Sequence, residues 1–243
     1  MPVLPQNITL RSASKTHVGM VRQINEDAFL DLPEHGVWAV ADGMGGHAAG
    51  DYVASLIVDS LRRVQPVAPL GLYCAGIRTA LLDVNAAVRE EARRRGLSMM
   101  GSTVVTLVLQ GDRGVCLWAG DSRLYRLRDG ELQGVSRDHS YVQELQDSGL
   151  LSDAEARVHP RANIITRAVG VGDTLDLAMI DLDILPGDTY LLCSDGLNKI
   201  VEDPEIRDVL SHSDPCQVVR SLVHLGLTRG APDNITAIVI KAS

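Results

Sequence analysis

Aromatic side chains are scarce in this sequence: they make up 3% of its 243 residues, with a single Phe. A core of ordinary size must therefore be filled by Val, Leu, Ile and Ala, since hydrophobic residues still make up 45%. Positive charge is also short, with 23 Lys and Arg against 31 Asp and Glu and a net charge of −8. A protein that clamps a phosphate backbone needs a basic face, so nucleic acid is excluded as an expected partner. No apolar run approaches the roughly 20 residues that span a bilayer, so no membrane span is expected. The opening MPVLPQNITLRSASK has no basic start followed by an apolar stretch. No secretory leader is expected from it, and a cytoplasmic location is. Cysteine occurs only at Cys74, Cys116, Cys193 and Cys216, with no C-x-x-C pair, each in or next to an apolar run. Buried thiols in a reducing compartment are expected rather than disulfides or a thiolate metal site. Repeats and Ser/Gly/Pro-rich linkers are missing, which leaves residues 1–243 as one expected domain.

Apolar residues at Ala49, Val53, Leu56, Ile57, Leu61 and Val64, and again at Ile77, Leu81, Val84 and Val88, follow helical spacing. They predict amphipathic helices over about 47–65 and 71–95, the second closed by Gly96. A last helix is expected from cap residue Asp214, with Pro215 in the first helical position, to about Thr228. Strands are predicted at 28–32, 37–41, 103–110, 115–119, 124–128, 175–183, 189–193 and 235–241. Arg128-Asp129-Gly130-Glu131 is a hairpin signal, and tight turns between strands imply antiparallel pairing. Strands and helix pairs come in blocks, which argues for α+β layers rather than alternating βαβ units. The polar segment 139–170, with a capping-box pattern at Ser152-Asp153-Ala154-Glu155, is either a flap beside a site or a structural excursion.

The placement of aspartates carries the chemistry. Asp42 follows Val37-Trp38-Ala39-Val40-Ala41, Asp121 follows Cys116-Leu117-Trp118-Ala119-Gly120, and Asp195 follows Tyr190-Leu191-Leu192-Cys193-Ser194. Asp233 stands just before Ile235-Thr236-Ala237-Ile238-Val239-Ile240. Four apolar strands thus each present an acid at one end. Unpaired buried carboxylates are costly, so the set points to a cation. An all-oxygen donor set suits a hard divalent ion such as Mg²⁺ or Mn²⁺, and no His/Cys cluster has zinc spacing. In Asp42-Gly43 and Asp195-Gly196 the glycine permits a sharp turn and offers its carbonyl. These carboxylates alone permit calcium binding or a hydrolase. Arg22 is a cation for an anionic substrate or a surface residue beside a turn. His47 is a general acid or a helix-cap residue, and His139 is equally ambiguous.

In chain order these residues resemble a known family. Thr16-His17-Val18-Gly19-Met20-Val21-Arg22-Gln23-Ile24-Asn25-Glu26-Asp27-Ala28 is similar to the opening motif of bacterial metal-dependent Ser/Thr protein phosphatases, the PPM or type 2C family. Ala41-Asp42-Gly43-Met44-Gly45-Gly46-His47 looks like its metal-binding signature. Gly120-Asp121-Ser122-Arg123, Asp138-His139-Ser140, Ser194-Asp195-Gly196-Leu197 and Asp233-Asn234-Ile235-Thr236 follow in the family's order. His159-Pro160 and Ile165-Thr166-Arg167-Ala168-Val169-Gly170 look like its flap and flap exit. The match runs from about residue 11 to 241. One departure is His17, where many members have Asp at a position that is not a metal ligand in the family pattern.

The resemblance implies a four-layer αββα sandwich, with two antiparallel sheets flanked by helix pairs and a small flap insertion. It implies two catalytic divalent ions, Mn²⁺ or Mg²⁺, bridged by Asp42, with the Gly43 carbonyl on one and Asp195 and Asp233 completing the other. Glu26 is counted with the metal residues as the holder of metal-bound water, with Asp27 and Asn234 standing just behind. Asp121 with Asp195 resembles the pair that binds a third, weaker ion in bacterial members. Arg22 is expected to grip the substrate phosphate, and His47 to serve as general acid. The implied reaction is in-line attack on phosphoserine or phosphothreonine by a water activated between the ions. That reaction reverses a bacterial Hanks-type Ser/Thr kinase; the expected partners are phosphorylated proteins, among them that cognate kinase, and a monomer is expected. A pseudophosphatase that binds phosphoproteins without hydrolysis is the alternative; it would be favoured by a missing metal acid, and none is missing.

Overall fold

The computed structural model describes residues 8–45 and 49–243, so His47 lies outside the described residues. In chain order the elements are β1 (Leu10–His17), β2 (Asp27–Leu32), a 3-10 turn (Pro33–His35), β3 (Val37–Met44), α1 (Gly50–Arg63) and α2 (Leu70–Arg95). There follow β4 (Gly101–Ser102), β5 (Val104–Gln110), β6 (Arg113–Ala119), β7 (Arg123–Arg128), β8 (Glu131–Gly134), α3 (Tyr141–Asp147) and α4 (Asp153–Arg157). The chain then forms β9 (Ala178–Asp183), β10 (Thr189–Cys193), α5 (Asp195–Asn198), α6 (Asp203–Leu210), α7 (Pro215–Thr228) and β11 (Ile235–Ala242). One sheet has the order β1-β11-β10-β7-β8, the other β2-β3-β5-β6-β9, with β4 paired to β3. The pairings are antiparallel.

Strand alternation explains the layering. Side chains i and i+2 share a face. Along β3, Val37, Ala39 and Ala41 join α1 and α2 residues such as Val53, Ile57, Ile77 and Leu81 in one core cluster. Trp38 and Val40 point the other way and pack with Leu192, Ile238 and Ile240 of the second sheet. Along β11 the parity is the same: Ile235, Ala237 and Val239 meet Val218 and Leu222 of α7. Both faces of the central strands are buried, so they read as near-continuous apolar runs. Each buried aliphatic side chain contributes about 1.5–3 kcal/mol, and that sum replaces the aromatics the composition lacks. The two Trp residues both belong to the inter-sheet core, and each keeps its indole N–H paired. Trp38 Nε1 donates to Asp31 at 3.0 Å and Trp118 Nε1 to the Arg137 carbonyl at 2.8 Å. The expected four-layer αββα sandwich is observed.

The local signals hold where the physics is local. Asp129 and Gly130 both have positive φ (52° and 80°), the geometry of a tight hairpin turn, and join β7 to β8. Asp214 accepts from Cys216 N at 3.2 Å and starts α7. Gly96, at φ 67°, closes α2. Three expectations change. The strand foreseen at 175–183 begins only at Ala178, because Leu175 turns into the helix-side core. The helix foreseen at 47–65 is described over Gly50–Arg63. Cys216 is exposed, since the second residue of α7 faces outward, whereas the thiols of Cys74, Cys116 and Cys193 are buried. The segment 139–170 carries the short helices α3 and α4 and is pinned at both ends. Ser140 bridges Ile165, and Val169 bridges Ser102. Among the described residues no helix is long and apolar enough to cross a membrane.

Candidate active site

The strand-end acids gather at one end of both sheets. Asp42 of β3 stands opposite Asp27 of β2 in the antiparallel register. β5 pairs Val104 with Ala119, which brings Asp121, just past β6, to the same end. In the other sheet, Cys193 pairs with Ala237, so Asp195 after β10 and Asp233 before β11 share that end. Side-chain hydroxyls sew the sheets together there. Ser194 Oγ donates to Asp27 Oδ2 at 2.8 Å and accepts from Thr236 N at 2.9 Å. Thr103 Oγ1 accepts from Asp42 N at 3.2 Å and is shared with Ser122 at 2.7 Å.

The loop that carries Arg22 and Glu26 is held by one buried amide. Asn234 Oδ1 accepts from Glu26 N at 2.8 Å, and its Nδ2 donates to the carbonyls of Val18 and Ile24 at 2.9 and 3.0 Å. The Glu26 carbonyl in turn accepts from Gly43 N at 3.1 Å. Asp42-Gly43 is therefore not a turn, as the sequence suggested, since β3 continues to Met44. Glycine is required there by close approach, because a Cβ would run into the Gly50 backbone at the start of α1. The same holds at Gly196, where a Cβ would meet the Asn234 carbonyl.

The electrostatics are those of crowded carboxylates. Asp42 keeps part of its surface exposed, but protein surrounds it elsewhere. Burial raises its pKa well above the usual carboxylate range, helped by the charges of Asp195, Asp27, Asp121 and Asp233. Burial pushes Asp27 up to about 7, against hydrogen bonds from Thr236 and Ser194. Burial likewise pushes Asp121 up to about 6, with the Asp195 charge adding to it and Lys199 opposing it. Three buried carboxylate oxygens have no hydrogen-bond partner: Glu26 Oε1, Asp27 Oδ1 and Asp121 Oδ1. Unpaired buried oxygens beside like charges are what a hard divalent ion relieves. The donor set fits such an ion by this test. It does not form a ready cage. Among the described residues no three acidic, His or Cys side chains converge on one point. Cationic side chains stand among them instead. Arg22 Nη2 donates to Asp233 Oδ2 at 2.7 Å. Lys199 pairs with Asp195 and with Asp121 Oδ2, the latter at 3.4 Å.

Residues beyond the sequence motifs also enter the site. Lys199 was not foreseen, although it stands four residues after Asp195, one helical turn along. Asn163 of the flap accepts from Lys199 Nζ at 3.0 Å. A cavity of about 450 Å³ runs from Asp121 and Lys199 along the flap to Arg157 and Glu202. His139 stacks on Trp118 with ring centroids 5.8 Å apart and accepts from Gly120 N at 3.3 Å. Its contacts are those of a packing residue.

The fold and the acid cluster define a class, and the comparisons name it. The protein phosphatase 2C family model matches residues 14–225, and the chain belongs to that family. The Ser/Thr protein phosphatase PstP of Mycobacterium tuberculosis is 35% identical over 233 residues, which are 96% of this chain and 45% of PstP. The chain thus spans about half the length of that curated relative. Among solved structures, PppA, described as a key regulatory component of T6SS in Pseudomonas aeruginosa, is 63% identical, with a TM-score of 0.91. That likeness covers 96% of this chain and 98% of PppA. The catalytic domain of PstP in complex with two manganese ions is 33% identical, with a TM-score of 0.86 over 97% of this chain and 99% of that one.

Proposed function

We propose that residues 1–243 act as one catalytic domain that removes phosphate from phosphoserine and phosphothreonine in proteins, with Mn²⁺ or Mg²⁺ as cofactor. The observation that carries this is the gathering of Asp42, Asp195 and Asp233 at one end of both sheets, with Arg22 beside them. The two manganese ions of the PstP structure support a two-ion centre held by Asp42, the Gly43 carbonyl, Asp195 and Asp233, with Glu26 positioned for bound water. When bound, two divalent ions supply Lewis-acid charge and make a water available as nucleophile near neutral pH. The chain's own residues do the rest. Arg22, about half exposed on its loop, holds the substrate phosphate and meets charge that develops on its equatorial oxygens. Asn234 fixes that loop, and Asp27 is held in place by Ser194 behind the ligands. His47 remains the candidate to protonate the leaving oxygen. No step calls on a cysteine, and the buried thiols of Cys116 and Cys193 are pushed up and inert.

The identity to PppA supports a regulatory role of the same kind, opposing a Ser/Thr kinase in the control of a secretion system. In this reading the protein acts as a cytoplasmic monomer in signal transduction. Every acid of the proposed set is present, which speaks against a phosphoprotein-binding module without turnover.

Hydrolysis of p-nitrophenyl phosphate and of a phosphothreonine peptide tests the proposal, measured with Mn²⁺, with Mg²⁺ and with EDTA, beside Asp233→Asn. Metal-dependent phosphate release that the variant lacks is the expected result. No turnover with metal bound would favour the binding module.

A further inference from the structure

The ammonium of Lys199 has three N–H donors, and the structure supplies an oxygen for each. Asp195 Oδ2 and Asp121 Oδ2 lie on one side, the latter at 3.4 Å, and Asn163 Oδ1 of the flap lies at 3.0 Å. Lys199 is placed there by chain geometry: its N–H donates to the Asp195 carbonyl at 3.0 Å, one turn back. Asp121 is 2% exposed, and Lys199 is the cation that faces it. The ammonium thus takes one oxygen of each acid, while Asp121 Oδ1 stays buried without a hydrogen-bond partner. Mg²⁺ sits roughly 2.0–2.1 Å from its oxygen ligands, and the wider Ca²⁺ roughly 2.3–2.6 Å. An ion at such distances and an ammonium on the same oxygens exclude one another by space. They also compete by charge, since the ammonium already offsets one of the two carboxylates.

We propose that Lys199 is a tethered cation that takes the place of a third divalent ion between Asp121 and Asp195 and ties that acid pair to the flap through Asn163. This rests on the two-ion reading of the main centre. It sets this chain apart from the third-ion pattern that its motifs resemble: the pair carries its own cation and needs no ion from solution.

The test is the number of Mn²⁺ ions bound per chain. It is counted by titration calorimetry and by the EPR signal of free Mn²⁺, in wild type, Lys199→Met and the double variant Asp121→Asn/Lys199→Met. The expected count rises by one from wild type to Lys199→Met and returns to the wild-type value in the double variant. Lys199→Gln gives the same comparison if Met at this position does not fold. An equal count in wild type and the Lys199 variants overturns the assignment. Absence of binding in wild type would fault the two-ion centre, while the difference between wild type and variant would still decide Lys199.

Discussion

Arg22 rests its guanidinium on Asp233, with Nη2 2.7 Å from Oδ2, so the group proposed to hold phosphate lies against an acid proposed to hold metal. Both side chains are well exposed, at 53% and 38%, and an exposed pair of this kind contributes little to stability. Arg22 is therefore free to turn to a phosphate once Asp233 engages a cation. Replacement by Ala removes a charge-assisted bond of about 1.5–3 kcal/mol, or roughly 10- to 100-fold in kcat/KM. The larger share is expected in KM, because the phosphate is held in ground and transition states alike. Steady-state kinetics on a phosphothreonine peptide check this. Unchanged kcat and KM would return Arg22 to the surface.

Asp42 faces Asp27 across β2 and β3, and the charges of four neighbouring acids bear on it. Asp42→Asn removes one negative charge from that cluster. In EDTA the variant is expected to melt above the wild type, by roughly 2–4 °C per kcal/mol of relieved repulsion. Saturating Mn²⁺ should stabilise the wild type by mass action, about 2.7 kcal/mol at one hundred times Kd, and the variant much less. Metal-dependent turnover should fall at least ~100-fold. Thermal melts with and without Mn²⁺ read both effects. A variant that keeps full activity removes Asp42 from the metal centre.

How much of this was legible in the sequence depends on how local each cause is. α7 could be placed from Asp214 and Pro215 because capping acts over four residues. The central strands could be placed because both of their faces are apolar. β1 (Leu10–His17) escaped notice, since Leu-Arg-Ser-Ala-Ser-Lys-Thr-His has almost no apolar alternation. It is an edge strand held by its register with β11. The site acids were visible as strand ends, but their convergence depends on sheet order, which no local pattern encodes. The Asp-Gly pairs looked like turns because the backbones that crowd Gly43 and Gly196 come from distant segments, Gly50 and Asn234. Lys199 and Asn163 meet only because the flap folds back over α5.

His139 packs on Trp118, and its pKa is lowered from 6.5 by burial and by the charge of Arg167, against Asp176, Asp138 and Glu144. A folded value below the unfolded one means that the unfolded chain binds the proton first as pH falls. The stability that neutral His139 provides is complete above the unfolded value near 6.5 and is lost as pH drops through the folded value. His139→Gln should flatten the fall in melting temperature below pH 6.5. An unchanged slope would assign the acid sensitivity to other groups.

Asn85 of α2, 3% exposed, fastens the flap exit. Its Oδ1 accepts from Gly170 N at 2.7 Å, and its Nδ2 donates to the Gly172 carbonyl at 3.3 Å. Next to this clamp, Val169 bridges Ser102, whose hydroxyl donates to the Asp42 carbonyl at 2.9 Å. A loosened flap exit is therefore felt at a proposed metal ligand. Asn85→Ala leaves a buried polar group unpaired, at a cost of about 1–3 kcal/mol. For a chain of this size that lowers the melting temperature by roughly 2–4 °C per kcal/mol. Mn²⁺ affinity, measured by calorimetry, should weaken severalfold, because the Ser102–Asp42 link loses its support. A lower melting temperature with unchanged Mn²⁺ affinity would confine Asn85 to stability and break the proposed connection between flap exit and metal site.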